Sequence, residues 1–180
     1  MENKRNSTTK KTNFYCLWIM TGYEEKYVQE MKIKLSSPDS SFKGNLYLFG
    51  MQMRLKSGKE YIKPIFPNYV FLETEETQDF SILKSSKGFM RVLPSNDDIH
   101  PLSEADLQIV KSILQYGSVI PIVHVNFDVN DKIQLLDGPF EGQNALVKAV
   151  NKRNKRVNLD LEFMNGIRLI GLTYEEVQKM

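Results

Sequence analysis

Apolar residues near the start of the chain follow first a strand pattern and then a helical one. Residues 14–20 form a continuous β-prone run, which predicts a buried strand. Thr21 and Glu24 have the spacing of a capping box, in which the two side chains satisfy backbone N–H groups at a helix start. Four apolar residues then recur at helical spacing: Tyr27, Val28, Met31 and Leu35. The pattern therefore predicts a strand followed by an amphipathic helix that ends at residues 36–39.

The next segment favours a hairpin and shorter elements. Residues 45–65 suit a long hairpin whose turn is Lys56-Ser57-Gly58-Lys59. The predicted elements after it are a strand at 69–72, a short helix at about 77–84 and an extended piece at 89–93. Ser103 and Asp106 form a second cap-like pair. It begins a helix whose inward face is predicted to be Leu107, Val110 and Leu114.

After Gly117 the pattern changes to short strands. Residues 119–125 contain Pro121 and no helical period, so they are interpreted as a connector. Short strands separated by turn residues are predicted at 132–136, 145–150, 156–161 and 167–172, which is typical of a small closed barrel. The predicted organisation is a disordered tail at 1–12, an α+β domain at 13–116, a linker at 117–126 and an all-β barrel domain at 127–180.

Composition narrows the class of protein. The chain has 180 residues, a net charge of +2 that is too small to indicate a partner, and one cysteine, Cys16, expected as a small buried hydrophobe. No apolar run approaches the roughly 20 residues of a membrane helix, and no secretion signal is present. We therefore expect an intracellular protein with no membrane partner. We also expect it to be cytoplasmic and to act as a monomer.

Enzyme chemistry is not indicated. His100 and His124 have no carboxylate at a spacing that suggests a general base, and Cys16 lies within an apolar strand. Asp97 and Asp98 are adjacent acids of the kind that are usually solvated, and no phosphate-binding loop or dinucleotide motif occurs. We expect a non-enzyme that needs neither cofactor nor metal.

The segment from Lys63 to Leu72 combines prolines and aromatic residues with a β-prone run. Phe66 and Tyr69 are therefore expected at the end of a core strand. Rigid, partly exposed rings there would make a docking surface, since aromatic side chains bury a large area at low entropy cost. The pattern alone equally allows both rings to be core residues.

Four sequence pieces occur in the order typical of a known family. They are Tyr23-Glu24, Phe66-Pro67-Asn68-Tyr69-Val70, Gly88-Phe89 followed by Pro101-Leu102-Ser103, and Asp137-Gly138-Pro139-Phe140. Over residues 14–180 the chain resembles the NusG family of transcription elongation factors. The resemblance implies an α+β NGN domain, an antiparallel sheet with flanking helices, followed by a small SH3-like KOW barrel.

The resemblance also implies partners. In the family, the NGN domain binds the clamp helices of RNA polymerase and bridges the DNA channel, so upstream DNA in the transcription bubble is a further implied contact. The matching polymerase-binding positions here are Tyr15, Ile65, Phe66 and Tyr69. Phe14 and Trp18 lie nearby, and Trp18 is expected to be core. Asn68 replaces the usual glycine, and asparagine tolerates the positive φ that the turn requires.

The barrel region departs from the housekeeping member of the family. Met164-Asn165-Gly166 stands where a Phe-Gly-Arg turn contacts a ribosomal protein or a termination factor, so this coupling is not expected. Ala145 also replaces a glycine typical of the KOW motif.

The barrel also carries a run of basic residues. Five cations lie within nine positions and no acidic residue interrupts them: Lys148, Lys152, Arg153, Lys155 and Arg156. Asn144 and other asparagines are interleaved with them. Such a hairpin suits an RNA groove, although charge runs in arbitrary domains are more often only solvated. Because KOW modules often touch RNA, we predict that this turn and Asn144 bind a nascent RNA hairpin.

These features together are most similar to LoaP, a group of specialised NusG paralogues that suppress termination after recognising an RNA hairpin. A second hypothesis is a general elongation factor whose barrel binds ribosomal or termination proteins. A third is an RNA-binding protein unrelated to polymerase. The C-terminal half shows no helical period, which disfavours RfaH-like refolding of the barrel into helices.

Overall fold

The computed structural model describes residues 12–75 and 79–177. Within them the chain divides into two compact units. The first unit comprises residues 12–47, 68–75 and 79–101, and the second comprises 48–67 and 102–177. Residues 48–67 and 102–116, which were assigned to the first domain by sequence, thus group with the C-terminal strands. The predicted domain boundaries stay a prediction, and most of the predicted tail lies outside the described residues.

Twelve strands and two α-helices occur in the described residues. In chain order they are β1 (Thr12–Ile19), α1 (Glu24–Leu35), β2 (Gly44–Tyr47), β3 (Gly50–Arg54), β4 (Glu60–Pro64), β5 (Tyr69–Glu75), β6 (Phe89–Val92), α2 (Glu104–Leu114), β7 (Val119–Ile120), β8 (Val123–Phe127), β9 (Ile133–Leu135), β10 (Val147–Asn151), β11 (Arg156–Phe163) and β12 (Gly166–Glu176). None of the described helices is both long and apolar enough to cross a membrane.

The first unit is built on a four-stranded sheet in the order β2-β5-β1-β6. Strand β1 is central because its apolar run can be buried on both faces, and Cys16 is buried as predicted.

The four residues predicted to form the inward face of α1 are all buried. The helix predicted at 77–84 is a 3₁₀ helix at Phe80–Ser85, and residues 76–78 lie outside the described residues.

The predicted capping box at α1 is wrong, because both of its side chains bind Asn68 instead. The N-cap of α1 is Tyr23, which makes no side-chain capping bond. Thr21 Oγ1 accepts from Asn68 Nδ2 at 2.7 Å, and Glu24 Oε1 accepts from the Asn68 backbone N–H at 3.1 Å. Asn68 has φ 72°, which confirms the expectation that asparagine adopts a positive φ in this turn. These bonds fix the turn that leads into β5.

The long hairpin predicted at 45–65 is divided between the two units. Strand β2 pairs with β5, whereas β3 pairs with β4 around the predicted turn at 56–59. Gly50 begins β3 at a close approach, since a Cβ there would lie 2.5 Å from Ile62 Cγ2. The break in apolar alternation at residues 49–50 therefore marks a change of sheet.

The second unit contains a three-stranded sheet, β4-β3-β7, and a five-stranded sheet, β10-β11-β12-β8-β9. The predicted connector at 119–125 is wrong, because Pro121 lies between two short strands, β7 and β8, that pair in parallel with β3 and β12. Ser103 Oγ accepts from the Asp106 N–H at 3.2 Å, as predicted for the cap of α2. Val110 and Ile113 are the fully buried residues of α2, while Leu107 and Leu114 are half-buried.

The α+β class and the sheet-rich C-terminal region are confirmed. The predicted strands at 132–136, 156–161 and 167–172 correspond to β9, β11 and β12. The segment predicted as a strand at 145–150 begins in a 3₁₀ turn at Asn144–Leu146 before β10.

Replacing Asn68 tests the turn before β5. Asn68→Ala removes the hydrogen bonds of the side-chain amide and puts alanine, which tolerates positive φ less well than asparagine, in this turn. We therefore expect the free energy of unfolding to fall by about 2 kcal/mol. Asn68→Gly keeps the backbone conformation and loses only the side-chain bonds, so it should cost about half as much. Denaturant unfolding of the two variants measures both, and equal losses would contradict the conformational role.

Candidate functional site

Phe66 is covered by another aromatic ring of the second unit. Its ring stacks on Phe163 with a centroid distance of 4.5 Å and an interplanar angle of 18°. Phe66 is 3% exposed, and Ile65 is buried as well. The expectation that the Phe66 ring is partly exposed is therefore wrong for this structure.

The turn after Phe163 is held in place by α2. Met164 and Asn165 both have positive φ, which makes a tight turn between β11 and β12. The Met164 N–H donates to Asp106 Oδ1 at 2.8 Å. Asp106 thus both closes the cap of α2 and fixes the turn that presents Phe163 to Phe66. These residues are about 60 to 100 positions apart in sequence, so no local pattern indicates the arrangement.

Tyr15 and Tyr69, in the first unit, differ from each other in exposure. Tyr15 is 3% exposed and packs edge-to-face on Phe80 at 4.9 Å. The ring therefore belongs to the core of the first unit and is not exposed as a docking ring would be, and its contact with polymerase stays an untested prediction. Tyr69 is half-buried at the start of β5, directly after the turn fixed by Asn68.

Trp18, which was predicted as core, is an exposed aromatic residue. It is 37% exposed and lies opposite Tyr69 on β5 and Arg91 on β6. The Arg91 guanidinium carbon lies 4.6 Å from the centre of the Trp18 ring, a cation–π geometry. Met20 and Met90 are also exposed. Sequence reasoning missed this patch because residues 14–20 are uniformly apolar, so the run does not show which side chains leave the core.

The predicted basic hairpin turn is present between β10 and β11. Lys152–Asn154 form one 3₁₀ turn, and Lys155 has φ 51°. Asn151 Oδ1 accepts from the Asn154 N–H at 3.0 Å, which closes the turn. Lys152, Arg153 and Lys155 are all exposed there.

Three lysines of the basic run, one on β10 and two in the turn, are paired with acidic side chains, contrary to the expected concentration of unbalanced charge. The pairs are Lys148–Asp160 at 3.3 Å, Lys152–Asp131 at 2.5 Å and Lys155–Glu176 at 3.3 Å. Arg153 has neither an ion pair nor a hydrogen bond to its side chain within residues 12–75 and 79–177. The acids come from neighbouring strands and turns, and the sequence run does not show them.

Arg156 and Asn144 have positioning contacts. Arg156 is half-buried, and its guanidinium donates to Thr173 Oγ1 and, at 2.8 Å, to the carbonyl oxygen of Arg54. Arg156 therefore joins β11 and β12 to β3. Asn144 Oδ1 accepts from the Leu135 N–H at 2.9 Å and ties the 3₁₀ turn to β9. Arg156 is therefore not a free cation of the turn, contrary to the expectation, whereas Asn144 is exposed and its contact with RNA stays a prediction.

Arg54 is the centre of an ion-pair network on the same side of the second unit. It donates to Glu175 at 2.5 Å and to Glu60 at 2.9 Å. These hydrogen bonds, first that to Glu175 and then that to Glu60, raise the pKa of Arg54. The bond from Arg54 also lowers the pKa of Glu60. The network fixes the tip of the β3–β4 hairpin beside β12.

Comparisons with known proteins agree with this fold. The family described as "Transcription termination factor nusG" matches residues 12–111. A transcription termination/antitermination protein NusG of Neisseria meningitidis is 24% identical over 132 residues, covering 70% of this chain and 73% of the relative. A protein of the same description from Pasteurella multocida is 22% identical, covering 96% of this chain and 97% of the relative.

Structural similarity supports the same fold. A solved structure described as "Domain interaction in Thermotoga maritima NusG" matches with a TM-score of 0.59 and 18% identity, covering 91% of this chain and 94% of that one. The family match spans more than half of the sequence, from β1 to within α2. The chain belongs to the NusG family of transcription termination and antitermination factors, non-enzymatic proteins that act with the transcription machinery.

Proposed function

We propose that this NusG-family protein is a specialised antitermination factor similar to LoaP. One part of the chain binds the clamp helices of RNA polymerase, and the β10–β11 turn binds a hairpin of the nascent RNA. The observation that carries the proposal is the tight, exposed turn that holds Lys152, Arg153 and Lys155 together. Contact with upstream DNA stays a prediction.

The ion pairs of Lys148, Lys152 and Lys155 are compatible with the proposed RNA binding. All three paired lysines are exposed, and exposed ion pairs contribute little because water and salt screen them. RNA phosphates can therefore replace Asp131 or Glu176 as partners at low cost, and Arg153 is available without any exchange. Each phosphate contact releases counterions, so affinity for RNA should fall steeply as salt rises.

The side chains proposed to bind polymerase are Phe66 in the second unit and Tyr69 and Trp18 in the first, each considered within its own unit. Aromatic residues are often among the few that carry most of an interface's binding energy. Tyr69 and Trp18 are accessible in this structure, whereas Phe66 is covered by Phe163. Docking through Phe66 therefore requires Phe163 and the turn that follows it to move away from the Phe66 ring.

Two simultaneous contacts explain how such a factor would act at one operon. RNA that is held by the factor while still attached to polymerase raises the effective concentration of the factor at that enzyme. Closure of the polymerase clamp by the docked factor then suppresses pausing and intrinsic termination downstream.

A second candidate is a general elongation factor whose barrel binds ribosomal or termination proteins. The observation that favours it is the exposure of Ile167 (66%) and Leu169 (64%) on β12, since neighbouring exposed apolar side chains mark interaction surfaces. The LoaP-like function predicts that immobilised full-length protein retains no ribosomal protein. Retention that is lost in Ile167→Ser and Leu169→Ser, but not in the basic-turn variant below, would favour the second candidate.

Removing the charge of the basic turn tests RNA binding. We expect the triple variant Lys152→Ala, Arg153→Ala, Lys155→Ala to lose at least about tenfold in affinity for the leader RNA hairpin, because several phosphate contacts are removed. Arg156 is left intact because it joins β11 to β3. Gel-shift titration against leader transcripts of neighbouring genes measures the change.

A matched control removes three exposed lysines elsewhere, as Lys26→Ala, Lys32→Ala and Lys111→Ala, and so changes the net charge equally. It should bind RNA like the wild type, and both triple variants should bind polymerase normally. Equal loss of RNA affinity in the two triple variants, or no loss in either, would contradict an RNA site at the turn.

The Phe66–Phe163 stack gives a test in which two substitutions have opposite effects. Phe66→Ala removes a docking ring, so affinity for RNA polymerase should fall by at least about tenfold. Phe163→Leu weakens the cover over Phe66, so affinity should rise. Binding of fluorescently labelled protein to core polymerase measures both, with unfolding curves recorded for each variant. A decrease in both variants, with intact folding, would exclude Phe163 as a cover.

A further inference from the structure

An open groove of about 770 Å³ lies beside the β10–β11 turn in the second unit. One side is formed by Arg54 and Lys56 at the tip of the β3–β4 hairpin. Arg153 and Lys155 of the basic turn and Tyr174 of β12 line other parts of it. The groove thus extends from the predicted RNA-binding turn to a hairpin that is about 100 residues away in sequence.

The groove is electropositive, and its acidic residues are already engaged. Five lining residues are cationic and two are anionic, which gives a net charge of +3. Glu175 is paired with Arg54, and Glu176 is paired with Lys155. Lys56 and Arg153 have neither an ion pair nor a hydrogen bond to their side chains in the part of the chain that the structure describes. The groove therefore offers two uncompensated cations contributed by different turns.

Tyr174 provides a second, independent indication of a ligand. The residue is 1% exposed, and its hydroxyl has no hydrogen-bond partner within the described residues. Buried hydroxyl groups in proteins are nearly always paired, because an unpaired one loses the hydrogen bonds it makes to water. Lys155 lies over the ring of Tyr174, with Nζ 5.5 Å from its centre. The hydroxyl is shielded from solvent in the free protein, so an oxygen-rich anion in the groove would become its partner only after the Lys155 side chain turns away from the ring.

We propose that this groove holds the sugar–phosphate backbone of the RNA, so that the RNA-binding surface includes Lys56 and Tyr174 in addition to the basic turn. The inference rests on the proposed function and extends its binding surface. The volume is within the range of about 300–1,000 Å³ that is typical of small-molecule sites, which is sufficient for a nucleotide-sized piece of backbone. Lys56 and Arg153 bind phosphates, and the Tyr174 hydroxyl donates to a phosphate or ribose oxygen once Lys155 has turned from the Tyr174 ring to a phosphate.

The first test compares two lysines of the same hairpin turn. Lys56 lines the groove, whereas Lys59, three residues later, does not. The full chain is titrated at several salt concentrations against a fluorescent synthetic RNA hairpin with a fully paired stem. Lys56→Ala should weaken binding about three- to tenfold and reduce the salt slope by about 0.7–0.9, the value for one phosphate contact. Lys59→Ala should leave both quantities close to wild type.

The second test removes only a hydroxyl group. Tyr174→Phe should leave the unfolding midpoint unchanged or raise it, since the hydroxyl has no partner in the folded protein. It should weaken binding to the same RNA hairpin about fivefold or more, since a hydrogen bond to the RNA is lost. A merely structural role for Tyr174 would instead lower stability and leave affinity unchanged.

The outcomes separate this inference from the proposed function. Wild-type RNA affinity in both Lys56→Ala and Tyr174→Phe, together with loss of binding in the basic-turn variant, would overturn the groove and leave the proposed function standing. Equal losses in Lys56→Ala and Lys59→Ala would also overturn it, because they would indicate only long-range charge. If the wild-type chain does not bind the RNA hairpin even at low salt, both the groove and the proposed function are wrong.

Discussion

The stack of Phe66 on Phe163 is the contact on which the proposed docking to polymerase depends. It places Phe66, which is proposed to dock on polymerase, under a ring of β11, and the hydrogen bond from the Met164 N–H to Asp106 holds the following turn in place. An aromatic pair contributes only about 0.5–1.5 kcal/mol beyond its buried area, so a partner that offers Phe66 an equally apolar site can replace Phe163. The same side chain can therefore stabilise the second unit in the free protein and bind a partner after release.

Electrostatic contacts in the second unit serve two different purposes. Arg156 and Arg54 are fixed by the backbone and by carboxylates, and they join the β3–β4 hairpin to β11 and β12. Arg153 and Lys56 have no such partners among the described residues. A single run of basic residues thus contains side chains that position the turn and side chains that remain available for an anion. Under the proposed function, the exchange of a few exposed ion pairs would therefore be sufficient for RNA to bind.

Local patterns in the sequence predicted local structure well. The apolar spacing in α1 gave the correct buried face, the Ser103–Asp106 pair marked the start of α2, and Asn68 has the predicted positive φ. Contacts between distant residues could not be predicted in this way. The acids that pair with the basic turn come from β11, β12 and the β8–β9 turn, and the partner of Phe66 lies almost 100 residues away. Trp18 was assigned to the core because a uniformly apolar strand does not show which of its residues leave the sheet's buried face.

Hydrogen–deuterium exchange of the full chain in a reconstituted elongation complex, stalled after the leader hairpin has been transcribed, tests the two-contact account most directly. The account predicts simultaneous protection of the β10–β11 turn and of residues 66–70, with faster exchange in the turn between β11 and β12 than in the free protein. Protection confined to β12 around Ile167 and Leu169, with the β10–β11 turn exchanging as in the free protein, would contradict it.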